Sequence, residues 1–274
     1  MFPPAVLVCL RFFISGLIIL GAARLLGAAL PKGRELWLTA LYGVVVLGGG
    51  TGSLVFAEQW VPSGLAALFL TTSPFWMVGL EALLPGGARL HAPSLAGILI
   101  GFAGAVLLIT PSTSGAAISP NLLRGFLVLQ FGCVCWCLGS LLQKRQPTNA
   151  HPVISGGVQQ LATGIAFVPV ALQFPHAPIE PSSRSLWAVA YLIVFGSIVG
   201  YSSFVYSMEH LPVTIVSTYT YVNPIVAVFL GSLFYGEAFG LREGMAMIAV
   251  FSGVAAVKYW SKQEPQHAEA AEAS

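Results

Sequence analysis

The chain is divided into apolar segments that are each long enough to cross a bilayer core as a helix. About 20 predominantly apolar residues are needed for such a span. Segments of this kind recur near residues 4–24, 36–57, 63–84, 93–110, 122–143, 152–173, 185–208, 213–235 and 242–260. Runs such as "LAGILIGFAGAVLLI" are apolar on every face, which excludes the alternation of a membrane barrel. Only 8% of residues are charged, against about 25% in soluble domains. The sequence therefore predicts an all-α, polytopic membrane helix bundle with nine spans.

The lysines and arginines predict how these spans are oriented. One set of alternate loops, with the tail, holds Arg24, Lys32, Arg34, Arg89, Lys144, Arg145, Lys258 and Lys262. The other set holds Arg124, Arg184 and Arg242. Because basic residues favour cytoplasmic loops, we expect a multi-pass protein of the inner (plasma) membrane with a cytoplasmic C-terminus. We expect the polar tail, residues 261–274, to be disordered. No dense basic cluster indicates a nucleic-acid partner.

The two halves of the chain resemble each other at a displacement of 150 residues. The matching positions include Leu36/Leu186, Trp37/Trp187, Gly50/Gly200, Pro62/Pro212 and Pro74/Pro224. This displacement pairs the second span with the seventh and the third with the eighth. Since each pair is an odd number of spans apart, its members cross the membrane in opposite directions. The pattern predicts two inverted-topology repeats, residues 1–117 with four helices and residues 118–260 with five. The unequal halves, and the outward N-terminus, lead us to expect one further helix upstream of Met1.

Several of these segments together resemble the EamA-type branch of the drug/metabolite transporter superfamily. The resemblance lies in "PPAVLVCLRFFISGLIIL", in "AEQWVPSGLAALFLTTSPFWMVGLEALL" and in "YTYVNPIVAVFLGSLFYGEAF". Trp136 matches the tryptophan of the first helix of the family's second repeat. The resemblance implies ten helices in two inverted halves, of which this chain has nine. The first half departs from the family where "PGGARL" replaces the usual Gly-Glu.

Candidate binding residues cluster around the two paired prolines. Pro74 and Pro224 lie within spans, where a proline removes one backbone donor and frees one carbonyl. Such paired helix breaks point to a site near the bilayer midplane, so we predict kinking or gating roles for both. The residues predicted to line the substrate cavity are Thr72, Ser73, Tyr219, Tyr221, Asn223, Gln130, Trp136 and Tyr201. The alternative is local: hydroxyl groups can satisfy the bent turn, and Trp136 can simply pack.

Two charged residues inside spans have two interpretations each. Arg11 is either a snorkelled anchor bonded near a helix end or a contact for a substrate anion or a gate. Its counterpart is Gln159 when Pro4 is laid on Pro152 and Gly16 on Gly164. Glu81 is either an interfacial acid near Arg89 or a proton-coupling group.

The remaining patterns favour transport over catalysis. Cys133, Cys135 and Cys137 fit a helix contact better than a metal site, and we predict no metal or cofactor. Gly97-x-x-x-Gly101 and Gly196-x-x-x-Gly200 predict close helix packing within the chain, with a homodimer face as the alternative. We predict a secondary transporter, not an enzyme, that exports a small organic metabolite such as an amino acid or drug-like compound by alternating access. The alternatives are a passive channel and an intramembrane enzyme.

Overall fold

The computed structural model is helical throughout the part of the chain that it describes. It describes residues 2–87, 92–109, 119–146, 149–173, 182–211, 240–241, 244–253 and 255–256, and the single positions 216, 226 and 233. In chain order the helices are α1 (Pro4–Leu25), α2 (Gly33–Gly43), π1 (Val44–Thr51), α3 (Gly52–Ala57), α4 (Ser63–Leu70), α5 (Ser73–Leu83), α6 (Ala92–Ile109), α7 (Pro120–Arg145), α8 (Pro152–Gln173), α9 (Ser183–Tyr191), π2 (Leu192–Tyr201), α10 (Ser202–His210) and α11 (Gly244–Gly253). Within these ranges there is no β-strand.

Six helical stretches of the described chain are long and apolar enough to cross a membrane. They are Pro4–Leu25, Gly33–Ala57, Ser63–Leu83, Pro120–Arg145, Pro152–Gln173 and Ser183–His210. Each coincides with a span predicted from the sequence. The predicted span near 93–110 corresponds to α6, and α11 lies inside the span near 242–260. Most of the span near 213–235 lies outside the described residues.

The outer surfaces of these helices are apolar, as a lipid environment requires. Leu17 and Ile18 on α1 are 48% and 49% exposed, and Phe131 on α7 is 60% exposed. Water would be a poor solvent for so much contiguous apolar surface. The exposed faces therefore fit the hydrocarbon of a bilayer, in agreement with the predicted class of fold.

The chain forms two compact units, each of which draws on both halves of the sequence. The first unit comprises Met1–Phe56 and Cys135–Val216, and the second comprises Ala57–Val134 and Ser217–Ser274. The helix α7 contributes its first part to the second unit and its last part to the first.

In the first unit, α1 and α8 cross at two glycines. A Cβ atom added to Gly16 would lie 2.5 Å from the backbone nitrogen of Leu161, and one added to Gly164 would lie 2.5 Å from that of Phe13. Small residues allow this close approach, which is how helices pack in lipid. Because position 13 faces 164 while position 16 faces 161, the two helices run in opposite directions at the crossing.

Two other helices of the first unit change their winding at corresponding places. The regular α-helix gives way to π-helix in π1 and in π2, where each turn holds an extra residue. The start of α2 at Gly33 and that of α9 at Ser183 are 150 residues apart (183 − 33). The starts of α3 at Gly52 and α10 at Ser202 have the same separation (202 − 52). The boundaries therefore follow the displacement of the sequence repeat.

The core of the first unit is formed where these helices meet. Its buried members are Val8, Phe12, Val46, Leu47, Tyr201 and Val205. The partly buried Val55, Trp136, Phe167 and Phe204 pack against them. Gly49 of π1 lets the backbone approach α7, since an added Cβ would lie 2.7 Å from the Cβ of Cys135. The core thus brings Trp136 and Tyr201 into one cluster.

Polar contacts join four helix ends of the first unit in two pairs. Lys144 Nζ donates to the carbonyl of Leu211 at 2.8 Å, and Glu35 Oε1 accepts from the backbone nitrogen of Asn149 at 2.7 Å. The backbone nitrogen of Ala150 donates to the same carboxylate at 3.2 Å. The charge pattern predicts all four of these ends to be cytoplasmic, so the contacts are consistent with that topology.

The second unit is held together by aromatic and glycine contacts. Phe75 and Val250 are buried together, with Val78, Ile98 and Phe102 packed around them. A Cβ added to Gly253 would lie 2.8 Å from the backbone nitrogen of Gly101. The Gly97-x-x-x-Gly101 pattern therefore serves helix packing within this unit.

Candidate functional site

The break between α4 and α5 carries a cluster of polar side chains in the second unit. Gln130 Oε1 accepts from Thr72 Oγ1 at 2.9 Å and from Trp76 Nε1 at 2.8 Å. The Nε2 atom of Gln130 donates to the carbonyl of Phe69 at 3.4 Å. Both ends of this amide are therefore satisfied by neighbouring helices, and it ties α7 to the break.

Hydroxyl groups satisfy the carbonyls that the break leaves without helical partners. Ser73 Oγ donates to the carbonyl of Leu70 at 2.6 Å, which is the carbonyl that the missing N–H of Pro74 frees. Thr72 Oγ1 donates to the carbonyl of Phe69 at 2.8 Å, and Ser73 Oγ also contacts Cys133 Sγ at 3.4 Å. Thr72 is fully buried. The hydroxyls of Thr72 and Ser73 thus satisfy the bent turn, which was the alternative to lining the cavity.

A second cluster, in the first unit, consists of three aromatic rings. The ring centroids of Trp136 and Phe204 are 5.0 Å apart, and those of Trp136 and Tyr201 are 6.2 Å apart. Tyr201 and Phe204 stack with centroids 6.0 Å apart. Tyr201 is the last residue of π2, and the start of α10 brings Phe204 beside it. We call these three residues the aromatic cluster.

Gln159 of α8 completes the polar side of the aromatic cluster. The hydroxyl of Tyr201 donates to Gln159 Oε1 at 2.6 Å, and Gln159 has no exposed surface. Within the described part of the chain, Gln159 Nε2 and Trp136 Nε1 are buried donors without a hydrogen-bond partner. An unpaired buried donor loses its hydrogen bonds to water and gains none in the protein, so such groups are uncommon in native proteins.

Arg11, on α1, reaches the neighbouring turn of π2 with its side chain. Its Nε donates to Ser197 Oγ at 2.7 Å, and its Cζ is 5.0 Å from the centroid of the Phe12 ring. Gly196 leaves room for the guanidinium, since an added Cβ would lie 2.8 Å from Nη2. Among the residues that the structure describes, the partners of Arg11 are thus a hydroxyl and a ring. This polar anchoring agrees with a structural role, and the anion contact remains a prediction.

A second glutamine supports the same segment of π2. Gln160 Nε2 donates to the carbonyl of Ser197 at 3.3 Å, and Gln160 Oε1 accepts from the hydroxyl of Ser15. Gln160 is therefore satisfied at both ends, unlike its neighbour Gln159. Two adjacent amides inside an apolar span are visible in the sequence, where Gln159 is identified as the counterpart of Arg11 and Gln160 is not assigned a role.

The other predicted residues are distributed as follows. Glu81 is partly buried in the last turn of α5, and Arg89 lies outside the described residues. Four further candidates also lie outside them: Tyr219, Tyr221, Asn223 and Pro224. In the ranges that the structure covers, no group of three His, Cys, Asp or Glu side chains is arranged to hold a metal ion.

Known proteins share both the sequence pattern and the fold of this chain. The sequence profile of the EamA-like transporter family matches residues 123–259. The inner membrane transporter YedA of Escherichia coli K12 is 32% identical over 256 residues, 92% of this chain and 81% of the relative. The aromatic amino acid exporter YddG of Ancylobacter novellus is 25% identical over 232 residues, 83% of this chain and 78% of the relative. A crystal structure with a TM-score of 0.68 and 23% identity covers 96% of this chain and 89% of its own, which shows a common fold.

These findings define a multi-pass inner membrane transporter for a small molecule, built from bilayer-length apolar helices. The chain belongs to the EamA-like transporter family, a branch of the drug/metabolite transporter superfamily, as the sequence motifs implied.

Proposed function

We propose that this chain is a secondary transporter that exports a small organic metabolite by alternating access. In this proposal residues 1–117 and 118–260 are inverted repeats that supply nine spans, with the C-terminus in the cytoplasm. The substrate binds between helices whose winding is interrupted, and a change between two conformations exposes it to one side of the membrane at a time.

The observation that carries the proposal is the exchanged glycine contact of α1 and α8. Gly16 faces Leu161 while Gly164 faces Phe13, and both equivalent pairs are 148 residues apart (164 − 16 and 161 − 13). An exchange of this kind, between helices that run in opposite directions, is expected of two repeats related by a twofold axis in the membrane plane.

The corresponding interruptions π1 and π2 support the same proposal. Both precede a short α-helix that starts at equivalent positions, Gly52 and Ser202. Interruptions in matching positions are expected of inverted repeats in transporters, and π-helical turns occur frequently at functional sites.

For the substrate, we propose an amino acid or a drug-like compound and outward transport. The support is the similarity to a relative named as an aromatic amino acid exporter. The aromatic cluster offers flat apolar walls beside polar groups, which suits a small organic molecule.

We further propose a division of roles among the candidate site residues. Trp136 and Tyr201 contact the substrate, and Tyr219, Tyr221 and Asn223 are retained as candidate substrate contacts. Thr72, Ser73 and Gln130 maintain the break at Pro74, since their hydrogen bonds are made within the second unit.

Counterflow in proteoliposomes tests the function. Purified protein is reconstituted, the vesicles are loaded with unlabelled amino acids or drugs, and entry of the labelled compound is followed. We expect saturable, counterflow-dependent uptake that protein-free liposomes lack. Linear flux without saturation would identify a channel, and chemical conversion of the compound would identify an enzyme. Inside-out membrane vesicles then report the direction of transport.

A further inference from the structure

We infer that Trp136 Nε1 and Gln159 Nε2 form a donor pair that binds a carboxylate of the transported molecule beside Tyr201. The inference rests on the proposed transport function and names the chemical group that the cavity recognises. It assigns Gln159, a residue with no exposed surface, to substrate recognition.

The two donors lack hydrogen-bond partners, whereas other amide and indole groups inside the spans have them. Gln130 and Gln160 are also buried amides inside spans, and both of their ends are hydrogen-bonded. Trp76 Nε1 likewise donates to Gln130. These three side chains are satisfied, whereas the described chain leaves Trp136 Nε1 and Gln159 Nε2 unpaired, along with the hydroxyls of Thr39, Ser140 and Ser202. In lipid such groups need a partner from within the protein or its ligand.

Tyr201 contacts the side chains that carry both donors. Its hydroxyl donates to Gln159 Oε1, so the amide turns its Nε2 group away from that bond. The Trp136 ring meets the Tyr201 ring edge to face, at an interplanar angle of 76°. Both donors thus belong to side chains that contact the same residue.

The two unpaired groups are both donors, which decides the kind of group that fits them. The indole N–H can only donate, and the amide oxygen of Gln159 already accepts from Tyr201, so the groups left without partners are Trp136 Nε1 and Gln159 Nε2. A carboxylate is the complementary group, because its two oxygens only accept when it is ionised. An ammonium group only donates and would satisfy neither of them.

Arg11 adds positive charge to the same stretch of π2. Its side chain is held by Ser197, four residues before Tyr201, which is about one helical turn. In a medium of low dielectric constant a guanidinium favours a neighbouring anion over a neutral carbonyl. The site therefore recognises an organic acid by its carboxylate.

Three compounds with one skeleton test this inference on the purified full-length protein. Binding of 3-phenylpropanoate, 3-phenylpropanamide and 3-phenylpropylamine is measured by thermal shift and by competition with the labelled acid. We expect the acid to bind best and the amine to bind worst. Equal binding of all three, or no binding of the acid, would overturn the inference, because the donor pair would then not recognise a carboxylate.

The decisive variant is Trp136→Phe, which keeps an aromatic ring and removes the N–H. We expect it to weaken binding of the acid about tenfold and so to reduce the preference for the acid over the amine. Trp187→Phe, on an exposed indole of the same unit, is the matched control and should retain the wild-type preference. Gln159→Met tests the second donor, with folding checked by size-exclusion chromatography. If Trp136→Phe retained the full preference for the acid, the donor pair would be excluded.

Counterflow separates this inference from the proposed function. Counterflow of other compounds without preference for acids would support transport and refute the donor pair. Acid binding that depends on Trp136, without counterflow of any compound, would support the donor pair and refute transport.

Discussion

Gly16 and Gly164 occupy exchanged positions at the crossing of α1 and α8, each facing the backbone of the helix that carries the other. Gly16 faces Leu161, three residues before Gly164, and Gly164 faces Phe13, three residues before Gly16. One close contact is thereby made twice, once from each half of the chain. Two reciprocal contacts of this kind are expected if the proposed repeats are related by a twofold axis.

Alanine at either glycine should destabilise the protein by a similar amount. The added methyl group of Gly16→Ala or Gly164→Ala would meet backbone atoms, which cannot move aside as a flexible side chain can. We expect a loss of about 1–3 kcal/mol in the free energy of unfolding, measured as a lower melting temperature in detergent. Gly21→Ala, on α1 with open space around it, is the control and should be neutral or slightly stabilising. Equal melting temperatures for all three variants would contradict the close crossing.

Gln130 should stabilise the break between α4 and α5. Gln130→Leu leaves Trp76 Nε1 without its acceptor and removes one of the donors to the carbonyl of Phe69, so we expect a loss of about 1–3 kcal/mol. Adding Trp76→Phe should then cost less than it does in the wild type, since the donor is already unpaired. Gln146→Leu, at an exposed position after the same helix, is the control. Strictly additive effects in this double-mutant cycle would show that the two side chains do not interact.

Ser197 should be needed to keep Arg11 inside its span. Ser197→Ala removes the acceptor of a charged donor, and hydrogen bonds to charged groups contribute about 1.5–3 kcal/mol. The expected result is a lower melting temperature than that of Ser203→Ala, which alters an exposed serine two residues into α10. In an Arg11→Met background, Ser197→Ala should have much less effect. An unchanged effect in that background would mean that Ser197 acts independently of Arg11.

Labelling with a membrane-impermeant maleimide should confirm the orientation. Single cysteines at Lys32, Lys144 and Ser182, all exposed, are introduced after the native cysteines are replaced. We expect the first two to react only in inside-out vesicles and Ser182→Cys to react on intact cells, as the distribution of basic residues predicts. The opposite pattern would invert the topology without affecting the fold.

The spans could be predicted from the sequence, and their internal interruptions could not. Length and composition define an apolar helix, and six predicted spans coincide with helices of spanning length. The change from α- to π-winding at Val44 and Leu192 leaves no comparable trace, because apolar and glycine residues fit either winding. The choice is made by packing, as where Gly49 meets Cys135.

The candidate site was also only partly accessible from the sequence. Pro74 and its neighbouring hydroxyls were recognisable, because a proline predicts a freed carbonyl and a local donor. The role of Gln159 was not, since its amide is oriented by Tyr201, 42 residues away in the chain. Whether an amide is satisfied depends on such distant contacts, which neither periodicity nor composition records.

Trp37 and Trp187 are each the fifth residue of their helices, α2 and α9, and each is 77% exposed. Indole rings settle at the boundary between headgroups and hydrocarbon. In the proposed inverted arrangement one ring lies at the inner boundary and the other at the outer boundary. A thinner or thicker bilayer would displace one ring from its boundary unless the helices tilted. The acyl-chain length of the surrounding lipids is therefore expected to tune the rate at which this protein works.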